Sequence, residues 1–290
     1  MRIWITGGAG FLGKRLAQAF SNSEWETVSL SRRESADANQ TYALNLATDT
    51  LQLKVLAASL TPDVVIHCAS KQPGVGTFSE FVESNVLTTA NLIDNLRSAP
   101  PRQIIFTSTL SVYSQTNNLP VKEDYPTAVA NPYGATKRWA EQLLETFPQS
   151  QVTVLRLPSM YGAGSADSFV DGLTRLAQRN EPIELFSRGT VIRDALHVKD
   201  VIKAIDRCVR EPSKDRFSIM NLGCGRPIRS REYAEVIVDT LQSTSPIVQS
   251  DRPASQFDCY ADIKLARREI GFVPTELKES IRNYTDELRS

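Results

Sequence analysis

The stretch Asn131–Glu141 reads NPYGATKRWAE, and it sets Tyr133 and Lys137 four residues apart. Asn131 can cap a helix and Pro132 can open it, so the pair falls on one face of a helix that should stop near Pro148. An ammonium beside a phenol favours the phenolate. It lowers a reference pKa of about 10 toward neutrality and makes Tyr133 usable as proton donor and acceptor. A surface Tyr–Lys pair has the same spacing, so the pair needs a context. Hydroxyls come from IIFTSTLSVYS, Ile104–Ser114. A strand ending at the carboxyl edge of a doubly wound sheet delivers its last side chains into the ligand crevice, which makes Ser108 and Thr109 candidates to hold a substrate oxygen. Thr107, Ser111 and Ser114 serve equally well as strand-end or turn residues.

The context is TGGAGFLG, Thr6–Gly13, directly after the run RIWIT and at the start of FLGKRLAQAF. Gly7 can make the tight turn, Gly10 lets backbone N–H groups reach a pyrophosphate, and Gly13 permits close helix–strand packing. The amides of Phe11, Leu12 and Gly13 then open a helix whose N-terminus favours negative charge. A glycine-rich turn that binds nothing is the bland alternative, and the flanking strand and helix argue against it. A second strand, in TVSLSRRES (Thr27–Ser35), ends in Arg32 and Arg33. Arg33 lies twenty residues after Gly13, where an NAD site places an acid on the ribose hydroxyls. An arginine there offers a forked donor for a 2′-phosphate. NADP(H) is therefore the expected cofactor; NAD(H) stays open, with Glu34 as its ribose acid if the turn is shaped differently.

The elements that must position these groups alternate. RIWIT, TVSLS, DVVIHCA, QIIFTST and VTVLRL are short β-rich runs separated by helix-period segments, the pattern of βαβ units. The fold class is α/β, a doubly wound parallel (Rossmann) sheet in residues 1–158, with a smaller C-terminal substrate-binding lobe in 159–290 and a crossing back near 190–210. Lys+Arg and Asp+Glu balance at 33 each over 290 residues without like-charge blocks, which disfavours a nucleic-acid groove or a polybasic membrane patch. Cys68, Cys208, Cys224 and Cys259 are scattered and there are two histidines, so neither a metal site nor a disulfide framework is expected. No apolar run is long enough for export or membrane spanning, and a cytoplasmic location fits.

With those residues in place, the chain resembles the extended short-chain dehydrogenase/reductase superfamily and, within it, the nucleotide-sugar epimerase/dehydratase family. TGGAGFLG is similar to its cofactor loop, DVVIHCAS (with Ala69) to its fourth-strand motif, and ESNVLTTANLID to its Asn-Val-x-x-Thr helix at Asn85–Thr89. LNLATD resembles its Asp-Leu adenine contact, with Asn45 in place of the acid and Leu46 following. The resemblance places Thr109, Tyr133 and Lys137 on the catalytic set, and Arg193 (in VIRDALHVKDV) and Arg252 (in DRPASQFDCYAD) on a sugar-nucleotide pyrophosphate. Ser159 stands where the family has Asn at a diphosphate contact. His67 and His197 lie in sheet-proximal motifs and are read as structural. Family dehydratases carry Asp-Glu after the catalytic Thr, whereas Leu110 and Ser111 follow here, and Ser111 stands where the epimerase–reductase type has a cysteine. What the resemblance then implies is NADP(H)-dependent reduction of a nucleotide-linked 4-keto-(6-deoxy)hexose, as the arginine pair suggests, or alternatively NAD-dependent 4-epimerisation of a nucleotide sugar. A non-catalytic dinucleotide sensor is disfavoured because Thr109, Tyr133 and Lys137 are all present. The resemblance also suggests a homodimer through the Asn85 and Tyr133 helices.

Overall fold

Apolar runs without a polar face can be satisfied only between two layers, and the chain's β-rich runs meet that condition in one sheet. The computed structural model describes residues 1–33, 37–74, 76–113, 118–127, 129, 131–165, 168–255 and 257–289. The strands are β1 (Arg2–Thr6), β2 (Glu26–Ser31), β3 (Gln40–Ala43), β4 (Val64–His67), β5 (Gln103–Thr109), β6 (Gln151–Leu157) and β7 (Phe217–Asn221), in the order β7-β6-β5-β4-β1-β2-β3. The run β5-β4-β1-β2-β3 pairs in parallel throughout. Register matters for the chemistry: Thr6 pairs with His67 and His67 with Phe106, so β1, β4 and β5 reach one carboxyl edge together.

The helices follow from capping and periodicity. In α1 (Phe11–Ser21), Leu12, Leu16, Ala17 and Phe20 recur at helical spacing and are buried. The next helices are α2 (Thr50–Ser59), α3 (Phe78–Phe81) and α4 (Thr88–Leu96). Thr77 and Glu80 close a capping box at the start of α3, and Val82–Leu87 joins α3 to α4 as a π-helical segment. Helix α5 (Pro132–Glu145) begins as expected, with Asn131 Oδ1 accepting from the Gly134 N–H at 2.8 Å and Pro132 in the first turn.

The chain forms two compact units: Met1–Ser114 with Pro126–Arg156 and Ala204–Met220, and Gln115–Tyr125 with Leu157–Lys203 and Asn221–Ser290. The chain thus passes between the two units more than once. The segment 118–125 packs with the second unit because its backbone is paired there: the Val121 N–H donates to the Tyr260 carbonyl at 2.9 Å, and the Val121 carbonyl accepts from the Asp262 N–H at 2.8 Å. No alternating apolar run signals such a pairing in the sequence.

In the second unit, short strands pair Ser159–Tyr161 with Ala195–His197, Ile192–Arg193 with Ile228–Arg229, and Ile183–Leu185 with Ile247–Gln249. Its helices are α6 (Phe169–Gln178), α7 (Val198–Arg210, which ends in the first unit), α8 (Ser230–Leu241), α9 (Lys264–Ile270) and α10 (Leu277–Glu287). Val170 and Leu173 of α6, Tyr233 and Ile237 of α8, and Ile281 of α10 share its core. After Ile183–Leu185 the backbone takes three consecutive left-handed residues: Ser187 (φ 48°), Arg188 (φ 54°) and Gly189 (φ 73°). The turn is held by the Ser187 N–H on the Arg252 carbonyl (2.7 Å) and the Arg188 N–H on the Ser250 carbonyl (2.9 Å). A β-carbon in this conformation costs about 1–2 kcal/mol, while the exposed Arg188–Asp251 pair at 3.5 Å returns little. Arg188→Gly is therefore expected to raise the unfolding free energy by up to about 1 kcal/mol in a denaturant titration, after the extra chain entropy of glycine is subtracted.

Candidate active site

The phosphate cradle is set by how closely the backbone packs. Gly7 has φ 70°, and a β-carbon on it would stand 2.8 Å from the Ala69 nitrogen. A β-carbon on Gly13 would run into the Gly7 carbonyl. The loop is drawn onto β2 by the Gly7 N–H on the Leu30 carbonyl (2.8 Å) and closed by the Gly10 N–H on the Gly7 carbonyl (2.8 Å). Gly10 caps α1 with no side-chain hydrogen bond, so the first amides of the helix remain available to an anion. Leu12 turns its side chain into the core and can offer only its backbone, whereas Phe11 is half-buried beneath the Arg15 guanidinium at 4.3 Å. Arg32 and Arg33 follow β2 and are exposed; Glu34 lies outside the described residues. Asn45 uses its carboxamide oxygen locally, accepting from the Ala47 N–H at 3.1 Å, and Leu46 is buried.

The strand ends are joined by a hydrogen-bond chain whose directions are fully determined. Thr89 Oγ1 donates to the Asn85 carbonyl (2.7 Å), so it accepts from His67 Nε2 (2.9 Å). His67 Nδ1 then accepts from Thr6 Oγ1 (2.6 Å), which itself accepts from the Ala69 N–H (3.1 Å). These directions hold because the imidazole is neutral: burial, reinforced by the charge of Lys137, holds its pKa down to about 3, and with Nε2 donating to Thr89, Nδ1 is left as the acceptor. Asn85 extends the frame from the π segment: its Oδ1 accepts from the Lys71 N–H (2.9 Å) and its Nδ2 donates to Thr136 Oγ1 on α5 (2.9 Å).

Thr109, Tyr133 and Lys137 come together at this edge. The Thr109 side chain acts on the Tyr133 hydroxyl, lowering its pKa, and Thr109 Oγ1 accepts from the Ser111 N–H at 3.1 Å. Lys137 is wholly buried, its Nζ lies 4.1 Å from the Phe106 ring centroid, and it has no hydrogen-bond partner among the described residues. Burial pulls the ammonium from an ordinary 10.5 down to about 8. The lowered phenol expected for Tyr133 is not found. Burial pushes it up to about 12 against the opposing effect of Thr109, because Lys137 Nζ makes no bond to the phenol.

Ser108 corrects another expectation. Its hydroxyl donates to Glu141 Oε1 at 2.5 Å, on the face of β5 opposite Thr109, since successive strand residues point to opposite faces. Glu141 and Arg156 escaped the sequence reading. The signals were present: an arginine inside the apolar run VTVLRL, and a glutamate one turn beyond Lys137. In the second unit, Arg193 lies over the Phe169 ring at 5.2 Å, its buried Nε has no hydrogen-bond partner among the described residues, and burial lowers its pKa. Its neighbour Asp194 accepts from the Cys224 N–H (2.8 Å) and the Ala261 N–H (2.9 Å), which fastens the segments on either side of it, and burial raises its carboxyl to about 6. Arg252 is exposed and 3.8 Å from Glu184 Oε1, and Ser159 is exposed on its strand. Among the described residues no group of side chains could hold a metal ion, and no helix is long and apolar enough to cross a membrane.

Residues 3–223 match the model of the NAD dependent epimerase/dehydratase family. The UDP-glucose 4-epimerase of Azospirillum brasilense is 26% identical, over 94% of this chain and 87% of its own. That of Bacillus subtilis is 25% identical, over 94% and 92%. The solved structure of MoeE5 in complex with UDP-glucose and NAD superposes with a TM-score of 0.87 at 26% identity, over 100% of this chain and 99% of that one. The UDP-glucose 4-epimerase of Thermotoga maritima shares the fold, at a TM-score of 0.89 and 21% identity over 100% and 99%.

A buried, unpartnered ammonium should cost stability. The folded pKa of Lys137 is below the unfolded one, so the unfolded chain binds more protons between about pH 8 and 10.5, and stability rises with pH across that window. Lys137→Met is expected to melt no lower than the parent at pH 7, with a gain of at most about 3 kcal/mol that disappears by about pH 10.5. Thermal melts of both proteins at the two pH values check it; a lower melting temperature at pH 7 would refute the buried-charge account.

Proposed function

The chain belongs to the NAD dependent epimerase/dehydratase family, as an NAD(P)-dependent enzyme acting on a nucleotide sugar, and from that premise we propose that it catalyses the 4-epimerisation of a UDP-linked sugar with NAD. The observation that carries the reading is the buried Lys137 ammonium, without a hydrogen-bond partner among the described residues, on the helix of Tyr133 and at the strand edge that bears Thr109, next to the glycine cradle. The cradle and the α1 amides suit a dinucleotide pyrophosphate, and Lys137 Nζ suits a ribose hydroxyl. When bound, NAD supplies a hydride acceptor that can also return the hydride. The protein's own work is proton transfer and orientation. Tyr133 takes the proton of the sugar 4-hydroxyl and gives it back, Thr109 holds that oxygen, and the Lys137 charge stabilises the phenolate while it exists. Because burial holds the phenol at about 12, Tyr133 first gives its own proton to water, and the phenolate so formed is the base that takes the 4-hydroxyl proton.

The second reading is NADP(H)-dependent reduction of a 4-keto-sugar nucleotide, favoured by one observation: exposed Arg32 and Arg33 at the end of β2. The epimerase relatives and the NAD in the MoeE5 structure weigh against it. Arg193, whose buried Nε has no hydrogen-bond partner among the described residues, is the better candidate for the sugar-nucleotide diphosphate; Arg252, in a loose exposed pair, and Ser159 are weaker ones. Four cysteines, none in a disulfide, suit a reducing cytoplasm. For a homodimer, Phe78 and Trp139 on α3 and α5 are each nearly half exposed, with ring centroids 5.9 Å apart, and Leu87 between α3 and α4 is likewise exposed. An aromatic pair of this kind suits burial against a second copy.

Incubation of the protein and NAD with UDP-glucose should yield UDP-galactose without net change in NAD absorbance, and Tyr133→Phe should lower turnover by about 10²–10⁴. Steady oxidation of NADPH with a 4-keto-6-deoxyhexose nucleotide, and no interconversion, would replace this reading with the reductase. Arg33→Ala is expected to leave NAD affinity within about two-fold, because NAD has no 2′-phosphate, and to weaken NADPH by about ten-fold or more. Calorimetric titration of both cofactors measures the difference. Sedimentation should report a dimer that Trp139→Asp converts to a monomer.

A further inference from the structure

A buried polar cluster lies behind the catalytic hydroxyls, and the proposed proton transfer passes through none of its groups. Glu141 is wholly buried on α5, about one turn past Lys137 and two past Tyr133. Arg156 of β6 grips it with both prongs, Nε on Oε1 at 3.1 Å and Nη2 on Oε2 at 2.8 Å. Ser108 of β5 donates to Oε1 at 2.5 Å, and Arg138 Nη1 to Oε2 at 3.1 Å. The third nitrogen of Arg156 donates to the Tyr113 hydroxyl at 2.8 Å, with the guanidinium 4.8 Å over that ring, and Arg138 Nε reaches Thr127 Oγ1 at 3.3 Å. The cluster thus joins β5, the turn after it, the segment leading into α5, α5 itself and β6.

A buried ion pair stabilises a fold no better than apolar side chains of equal volume, but it dictates direction, because each fork must meet its oxygens. Here the direction is consequential. Ser108 is the neighbour of Thr109, and Glu141 is on the helix of Tyr133, so one carboxylate ties the strand end bearing one catalytic hydroxyl to the helix bearing the other. We propose that Glu141, held by Arg156, is a positioning residue that sets Thr109, Tyr133 and Lys137 in register for the proton transfer. The charges support it. Besides Glu141, the titratable groups facing Lys137 are His67, neutral with its pKa at about 3, Cys68, pushed up to about 12 by burial, and Tyr133, also at about 12. Cys68 and Glu141 both favour the Lys137 ammonium against burial, and of the two Glu141 is the one tied to β5 and β6.

This inference rests on the epimerase reading for its substrate, so one arm of the test needs no substrate. In the full-length protein labelled with ε-¹³C-lysine, the Lys137 resonance, identified by its loss in Lys137→Met, is titrated by NMR. In Glu141→Gln its midpoint should fall by about one pH unit, and an unmoved midpoint overturns the proposal. In the second arm, Ser108→Ala, which deletes only the tie from Glu141 to β5, should lower kcat for UDP-glucose epimerisation about ten-fold with KM within about two-fold. Parent values of both constants overturn the proposal even if Glu141→Gln does not fold. If the parent protein epimerises nothing, the functional reading fails and the lysine titration still decides this one.

Discussion

Burial of the Lys137 ammonium is the constraint to which the rest of the first unit answers. A cation without a hydrogen-bond partner inside a domain is tolerated only where its surroundings offset part of the lost hydration. Three features do so. The face of Phe106 lies under the charge at 4.1 Å, the carboxylate of Glu141 stands one helical turn away, and His67 is kept neutral, so no second cation competes. The first and third depend on sheet register, because Phe106 and His67 pair with one another across β4 and β5. The same register brings Thr6 beside His67 and gives the hydrogen-bond chain its fixed directions.

Rigidity around the charge is concentrated in two polar frames. One runs Ala69, Thr6, His67, Thr89 and Asn85, and continues through Asn85 to Thr136 on α5. It depends on the π segment Val82–Leu87, where the altered helical repeat accompanies a buried Asn85 that serves both Lys71 and Thr136. The other is centred on Glu141. The frames meet α5 at Thr136 and Glu141, on either side of Lys137 in sequence. Helix α5 is therefore anchored on both sides of Lys137.

The second unit shows a contrasting economy. Asp194 fastens backbone amides at Cys224 and Ala261 next to Arg193, whose buried Nε has no hydrogen-bond partner among the described residues. The left-handed turn at Ser187–Gly189 accepts conformational strain in exchange for backbone hydrogen bonds to Ser250 and Arg252. Local strain and a donor without a partner among the described residues are features of a surface shaped for something other than stability.

Much was legible in the sequence. Period-two and helical apolar runs defined the βαβ order, because sheet and helix burial each leave a fixed spacing. Three-residue spacing of Gly7, Gly10 and Gly13 announced the cradle, and Asn131-Pro132 announced the helix that carries Tyr133 and Lys137, because caps and turns are local chemistry. Tertiary structure alone decided the rest. That Ser108 turns away from the edge, that Glu141 finds Arg156, and that 118–125 joins the second unit all depend on residues brought together from distant parts of the chain. The protonation of Tyr133 and Lys137 belongs to the same class. Spacing placed the two side chains on one helix face, but their pKa values are set by how much water and which charges surround them, and only the packed interior specifies that.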